Sequence, residues 1–272
     1  MFDLLQYPFF LRALAGVLLI AVGAAVIGTY IITRRLVAIS GGVTHACFGG
    51  LGLGNFLGVS PIAMAAAFAV ASSVAVEWMS RRWRVREDSA IAVIWALGMA
   101  VGVLFVFLTP GYVPELNSFL FGNILSITPY DLCAFAVFTG VLCAFFIWKY
   151  RQIVAVAFDR DFARVSGLPV KFISYTMTVL IAVGIVLTIR LVGIMLLMSM
   201  LSLPIMTAEI FCRRYLTVMW GAVAVSILTC LGGLIMGCYI DVPVSAFIVL
   251  LMTATFILGK VVRSILIRRK SL

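Results

Sequence analysis

Residues 170–211 read VKFISYTMTVLIAVGIVLTIRLVGIMLLMSMLSLPIMTAEIF, and only Lys171, Arg190 and Glu209 carry charge in that whole length. A run of about 18 or more apolar residues is long enough to cross a bilayer as a helix, and Arg190 divides this stretch into two such runs. Neither run alternates with period two, and both are too long for a transmembrane strand, so helix is the spanning element. Working outward, further apolar runs lie near 9–32, 40–57, 61–79, 89–108, 129–148, 216–236 and 244–262. With 170–189 and 191–211 the count is nine, or eight if 170–211 is one helix with a re-entrant piece. The expected fold is all-α, a polytopic membrane protein of eight or nine transmembrane helices. Residues 1–272 form a single membrane domain in this reading.

Composition excludes most other classes. The 272 residues are 64% apolar and 11% charged, with a mean hydropathy of +1.23. Soluble domains run near 45–50% apolar and about 25% charged. Once the spans are counted, no room remains for a separate soluble catalytic domain of about 100 residues. No small-residue cleavage site follows the first apolar run, which reads as a retained span and not a signal peptide. The six cysteines stand singly, with no C-x-x-C pair, so they read as small buried hydrophobes and not as a disulfide or zinc framework.

Twenty Lys/Arg stand against ten Asp/Glu, a net charge of +10. Placing 33–39, 80–88, 149–169, 212–215 and 260–272 in the cytoplasm, with Lys171 at that interface, leaves only Arg12 and Arg190 outside. Eighteen of the 20 cations then lie on one side, as the positive-inside rule requires. The expectation is N-terminus out, C-terminus in, in the cell (inner) membrane, with lipid as the surrounding partner. The positive charge is an orientation signal; no nucleic-acid partner is expected.

The few polar residues inside apolar runs carry the chemistry. His45, the chain's one histidine, lies in ISGGVTHACFGGLGLGNFLG. Gly42, Ala46, Gly50 and Gly54 form a small-residue stripe suited to close helix approach, and Gly41 and Gly49 flank His45 one turn either way. The imidazole either bonds a neighbouring carbonyl or faces a pathway, where a neutral ring nitrogen binds a borderline transition metal. Asp241, followed by Pro243, either caps the last helix or draws a divalent cation to the outer mouth, and the roles can coexist. Glu77 with Arg81 and Glu209 with Arg213 read as i,i+4 pairs.

The segment FDRDFARVSGLPV (158–170) is not a span. Phe158, Phe162 and Val165 repeat at helical spacing, with Asp159, Arg160, Asp161 and Arg164 on the other side. Asp159 reads as N-cap, Gly167 as the residue after the C-cap and Pro169 as a stop. This is a short amphipathic helix, either interfacial or presented to a cytoplasmic partner. Gly259-Lys260 is followed by Val261, so no Walker A loop is present, and neither a nucleophile–base pair nor a zinc-protease helix appears.

Together these residues resemble the permease subunit of the zinc/manganese/iron-type metal-ion ABC importers, over about 9–262. The motifs are Ser40 to Ala46 with Gly50, Leu120-Phe121-Gly122, Asp159 to Gly167 with Ala163, Gly193-x-x-Leu196-Leu197 running to Pro204 and Ala208, and Asp241-x-Pro243. The resemblance implies a homodimeric pore, two cytoplasmic ATP-binding subunits and an extracytoplasmic metal-binding protein. It implies that His45 and nearby carboxylates, Asp241 among them, bind the passing divalent metal, which is substrate and not a permanent cofactor; no cofactor is expected. It also implies that Asp159, Asp161, Ala163, Arg164 and Gly167, within 158–168, form the helix that couples to the ATPase. Where family members place an Asp one turn before the histidine, this chain has Gly41. The competing classes are a stand-alone metal carrier or channel and a membrane-embedded enzyme. The latter would need clustered ligands at one depth, and His45 has no carboxylate on its own helix.

Overall fold

A hydrocarbon solvent satisfies no backbone N–H or C=O, so each apolar run closes its own hydrogen bonds as a helix. The computed structural model describes residues 7–110, 122, 124–240 and 242–270. In chain order it contains α1 (Pro8–Thr33), α2 (Val37–Leu57), α3 (Pro61–Arg82), α4 (Glu87–Leu108), a 3-10 turn (Ile124–Ser126), α5 (Pro129–Phe158), α6 (Arg160–Val165), α7 (Val170–Phe211), α8 (Tyr215–Ile240) and α9 (Val244–Lys270). All the helices except α6 are long and apolar enough to cross a membrane, eight in number among the described residues. The chain is therefore an all-α, multi-pass membrane protein, as its hydropathy predicts.

The longest helix accounts for the two possible span counts. Straight, the 42 residues of α7 would reach about 63 Å at 1.5 Å per residue, roughly twice the ~30 Å hydrocarbon core. The helix is broken at Gly193, where φ is 80° and ψ 170°, a conformation open essentially to glycine alone. Gly122 lies directly against the backbone of Val192 and Gly193, leaving no room for a Cβ. Each segment of α7 on either side of the break is long enough to cross.

Contacts gather the chain into two compact units, the first taking α1, the start of α5 up to Cys143, α7 from Arg190, α8 and α9. Its core includes Ala25 of α1, Ile205 and Ala208 of α7, and Val218, Ala222 and Val223 of α8. Asp131 and Thr128 cap α5 reciprocally: the Thr128 hydroxyl donates to Asp131 Oδ2 at 2.6 Å, and the Asp131 N–H donates to Thr128 Oγ1 at 3.2 Å. The other oxygen of Asp131 accepts from Arg190 Nε at 3.0 Å, so the cation that interrupts the longest apolar stretch is paired.

The second unit holds α2, α3, α4, the remainder of α5 from Ala144, α6, and α7 up to Ile189. Here helices meet backbone to backbone, as small-residue stripes permit. A Cβ on Gly49 would stand 2.8 Å from the Gly98 carbonyl oxygen, one on Gly52 2.5 Å from that of Gly102, and one on Gly50 2.5 Å from that of Met64. Backbone cannot yield as a flexible side chain does. Gly50→Val is therefore expected to destabilise the detergent-solubilised protein by about 1–3 kcal/mol. Gly140→Ala, with nothing within 4 Å of the added methyl, should be neutral or gain up to about 1 kcal/mol of helix propensity. Thermal unfolding of the two variants beside the parent checks both.

Candidate functional site

His45 stands near the middle of α2 and is half-buried. Its ring lies flat on the indole of Trp95 from α4, centroids 4.6 Å apart and planes 5° from parallel. Trp95, Gly98 and Gly102 share one face of α4 at helical spacing, and the two glycines bring α2 close enough for the rings to stack. The space left by Gly49 and Gly50 is filled by α4 and α3, and Gly41 is buried. Among the described residues, none hydrogen-bonds the imidazole. The ring is held by its face, and neither nitrogen shares a hydrogen bond with a described residue. No group of three or more His, Cys, Asp or Glu side chains gathers anywhere among the described residues, so any ligand set that they build on His45 is sparse. Trp95 is not among the sequence-predicted site residues, although its register with Gly98 along α4 is a signal the sequence carries.

Asp241 lies outside the described residues, as do Leu120 and Phe121. The residues after Asp241, from Val242 to Ala246, line a cleft of about 420 Å³ with Gly122, Ile124, Leu125 and Met195. Its walls are mainly apolar, with the Ser245 hydroxyl and the Met195 thioether the softer and more polar elements.

The short helix α6 is capped at both ends as its sequence predicts. Asp159 Oδ1 accepts from the N–H groups of Asp161 at 2.9 Å and Phe162 at 3.0 Å. At the other end Gly167 adopts φ +75°. Its N–H donates to the Arg164 carbonyl at 3.1 Å, and that of Leu168 to the Ala163 carbonyl at 3.0 Å, the paired bonds of a Schellman ending. Phe158, Phe162 and Val165 are 68%, 66% and 89% exposed, rimmed by exposed Asp159, Asp161 and Arg164, the last two ion-paired at 3.1 Å. Ala163 faces the other way and is fully buried. It packs beneath the helix instead of joining its outer surface.

Two expectations about charge change. Arg160 does not lie with its acidic neighbours on an outer side. It turns inward, Nη2 donating to both oxygens of Glu77 at 3.1 Å and Nη1 to Glu87. Its guanidinium meets buried Glu77 and half-buried Glu87 at once, and that pairing draws it in. The Glu77–Arg81 pair forms at 2.7 Å. Among the described residues Glu209 and Arg213 make no such pair.

The profile of the ABC 3 transport family matches residues 6–263. The chain belongs to that family. A probable metal transport system membrane protein of Chlamydia pneumoniae is 34% identical over 255 residues, covering 92% of this chain and 86% of the relative. The manganese transport system membrane protein MntC of Halalkalibacterium halodurans is 28% identical over 257 residues, covering 94% and 88%. The solved structure of PsaBC from Streptococcus pneumoniae in complex with a Fab has the same fold, with a TM-score of 0.81 at 23% identity, over 94% of this chain and 92% of that one. The chain is thus a permease of the metal-ion ABC transporter class, in agreement with the motif resemblance.

Stacking of the kind seen between His45 and Trp95 contributes about 0.5–1.5 kcal/mol beyond area burial. Trp95→Leu keeps an apolar side chain but removes the plane. It is expected to raise the apparent Km for metal uptake by about three- to tenfold, with the protein level in the membrane unchanged. Concentration-dependent uptake in cells expressing each form is the check.

Proposed function

We propose that this permease is the transmembrane subunit of an ATP-driven importer whose cargo is a divalent transition metal, zinc, manganese or iron. The observation that carries the reading is His45: an imidazole inside a membrane span, oriented by Trp95, with no hydrogen-bond partner among the described residues. An ionisable group at that depth is costly unless it serves transport, and a neutral imidazole suits borderline divalent metals. Asp241, which precedes the cleft residues 242–246 in the sequence, serves as the cation-attracting group at the outer mouth. A ligand set of one imidazole and one carboxylate binds weakly, which suits an ion that must leave as readily as it enters. A second copy of the chain completes the pathway as a homodimer.

The energy source is a pair of separate cytoplasmic ATP-binding subunits, since the chain carries no phosphate-binding loop. The face of Phe158, Phe162 and Val165 is where one of them docks, with Asp159, Asp161 and Arg164 as its rim and Gly167 setting the exit of the chain. An extracytoplasmic metal-binding protein delivers the ion. A stand-alone carrier would leave that apolar face of α6 without purpose. The N-out, C-in orientation belongs to this reading and requires an odd number of crossings, so both segments of α7 must traverse the bilayer. Single cysteines engineered within 81–86 should then be labelled only from the cytoplasm and those within 110–116 only from outside; the reverse pattern contradicts the orientation.

The functional test is His45→Ala in proteoliposomes holding the whole complex. Uptake of Zn²⁺, Mn²⁺ and Fe²⁺ should fall to background while the ATP-binding subunit still co-purifies. Unchanged uptake of all three would remove His45 from the pathway.

A further inference from the structure

Three guanidinium groups from distant parts of the chain converge on two carboxylates where α3 ends and α4 begins. Glu77, 4% exposed, receives Arg81 Nε at 2.7 Å and both bonds from Arg160 Nη2 at 3.1 Å. Glu87, the first residue of α4, receives Arg160 Nη1 and, at 3.0 Å, Nη2 of Arg34, whose side chain is 4% exposed. Arg34 precedes α2 by a short turn in which Arg35 takes φ 57°. Arg81 also lies over the ring of Tyr175 in α7, 5.5 Å from its centroid. The bonds of Arg160 close chain separations of 83 and 73 residues.

Arg160 is the one group that belongs to α6 and holds both carboxylates. It follows directly on the N-cap, so its guanidinium is anchored to a helix fixed at both ends. The planar fork sends one nitrogen to each carboxylate, a geometry a single ammonium cannot copy. Beyond the carboxylates, α2, α3 and α4 meet through bare glycine backbone and cannot slide without collision. A displacement of α6 must therefore carry the starts of α2 and α4 and the end of α3 with it as one body, and His45 and Trp95 ride on that body.

We propose that Arg160 is a positioning residue that clamps α6 to α2, α3 and α4, so that motion received at α6 reaches His45 as a rigid displacement. The proposal rests on the reading of α6 as the docking helix for an ATP-binding subunit. Uptake must then need the clamp, whereas docking and hydrolysis need only the outer face of α6.

The test uses the complete complex in proteoliposomes, with co-purification of the ATP-binding subunit, ATP hydrolysis, and uptake of whichever of Zn²⁺, Mn²⁺ and Fe²⁺ the parent carries. Arg160→Ala should retain the subunit and hydrolyse ATP, while metal carried per ATP falls by about tenfold. Arg160→Lys keeps a cation between the carboxylates and should give an intermediate loss of about threefold; it carries the test by itself if Arg160→Ala fails to accumulate. A parental uptake-to-hydrolysis ratio in Arg160→Lys, or loss of the subunit from Arg160→Ala, overturns the clamp. Failure of the parent itself to retain the subunit would instead remove the docking reading, and the clamp with it.

Discussion

Burying a charge away from water is expensive unless an opposite charge is buried with it, and that constraint organises this permease. Most of its residues are apolar, so each charge that turns inward must find a partner already there. Glu77 is nearly buried because Arg81 and Arg160 surround it; Arg34 is nearly buried because Glu87 meets it. Arg190 sits in the midst of the most apolar stretch because Asp131, while capping α5, presents its second oxygen. Against this background His45 stands out as an ionisable side chain inside a span that shares no hydrogen bond with the described residues.

The same constraint links the helix ends to the interior. Ion pairs join α6 to the ends of α3 and α4, and glycine contacts carry the attachment along α2 towards the stacked pair His45 and Trp95. The outer face of α6 is free to be hydrophobic because its structural bond is made by Arg160 on the other side. One short helix thus presents an apolar surface outward and a guanidinium inward.

Much of the architecture was legible in the sequence because hydropathy and capping act locally. The apolar runs give the membrane helices; Asp159 and Gly167 give both ends of α6; Glu77 and Arg81 pair one turn apart. What was hidden depends on groups brought together from far along the chain. The inward turn of Arg160 is decided by carboxylates 83 and 73 positions away. Nothing in FDRDFARVSGLPV separates it from Arg164, which stays exposed. Ala163 belongs to the same motif as its exposed neighbours yet is fully buried. The break at Gly193 needs the close approach of Gly122 to show its reason, and Trp95 gains meaning only beside His45. Of the candidate site, the position of His45 within a span and the capped ends of α6 could be read from sequence, while the groups that hold them in place could not.

The central claim is that the exposed face of α6 is covered by a separate ATP-binding subunit in the working transporter. A photo-activatable cross-linking side chain placed at position 162, with one at the buried position 163 as control, tests it in intact membranes containing the full complex. The account predicts a cross-linked product of permease and ATP-binding subunit from position 162 and none from position 163. Labelling of lipid alone from position 162 would contradict it and leave α6 as a helix that only lies on the membrane surface.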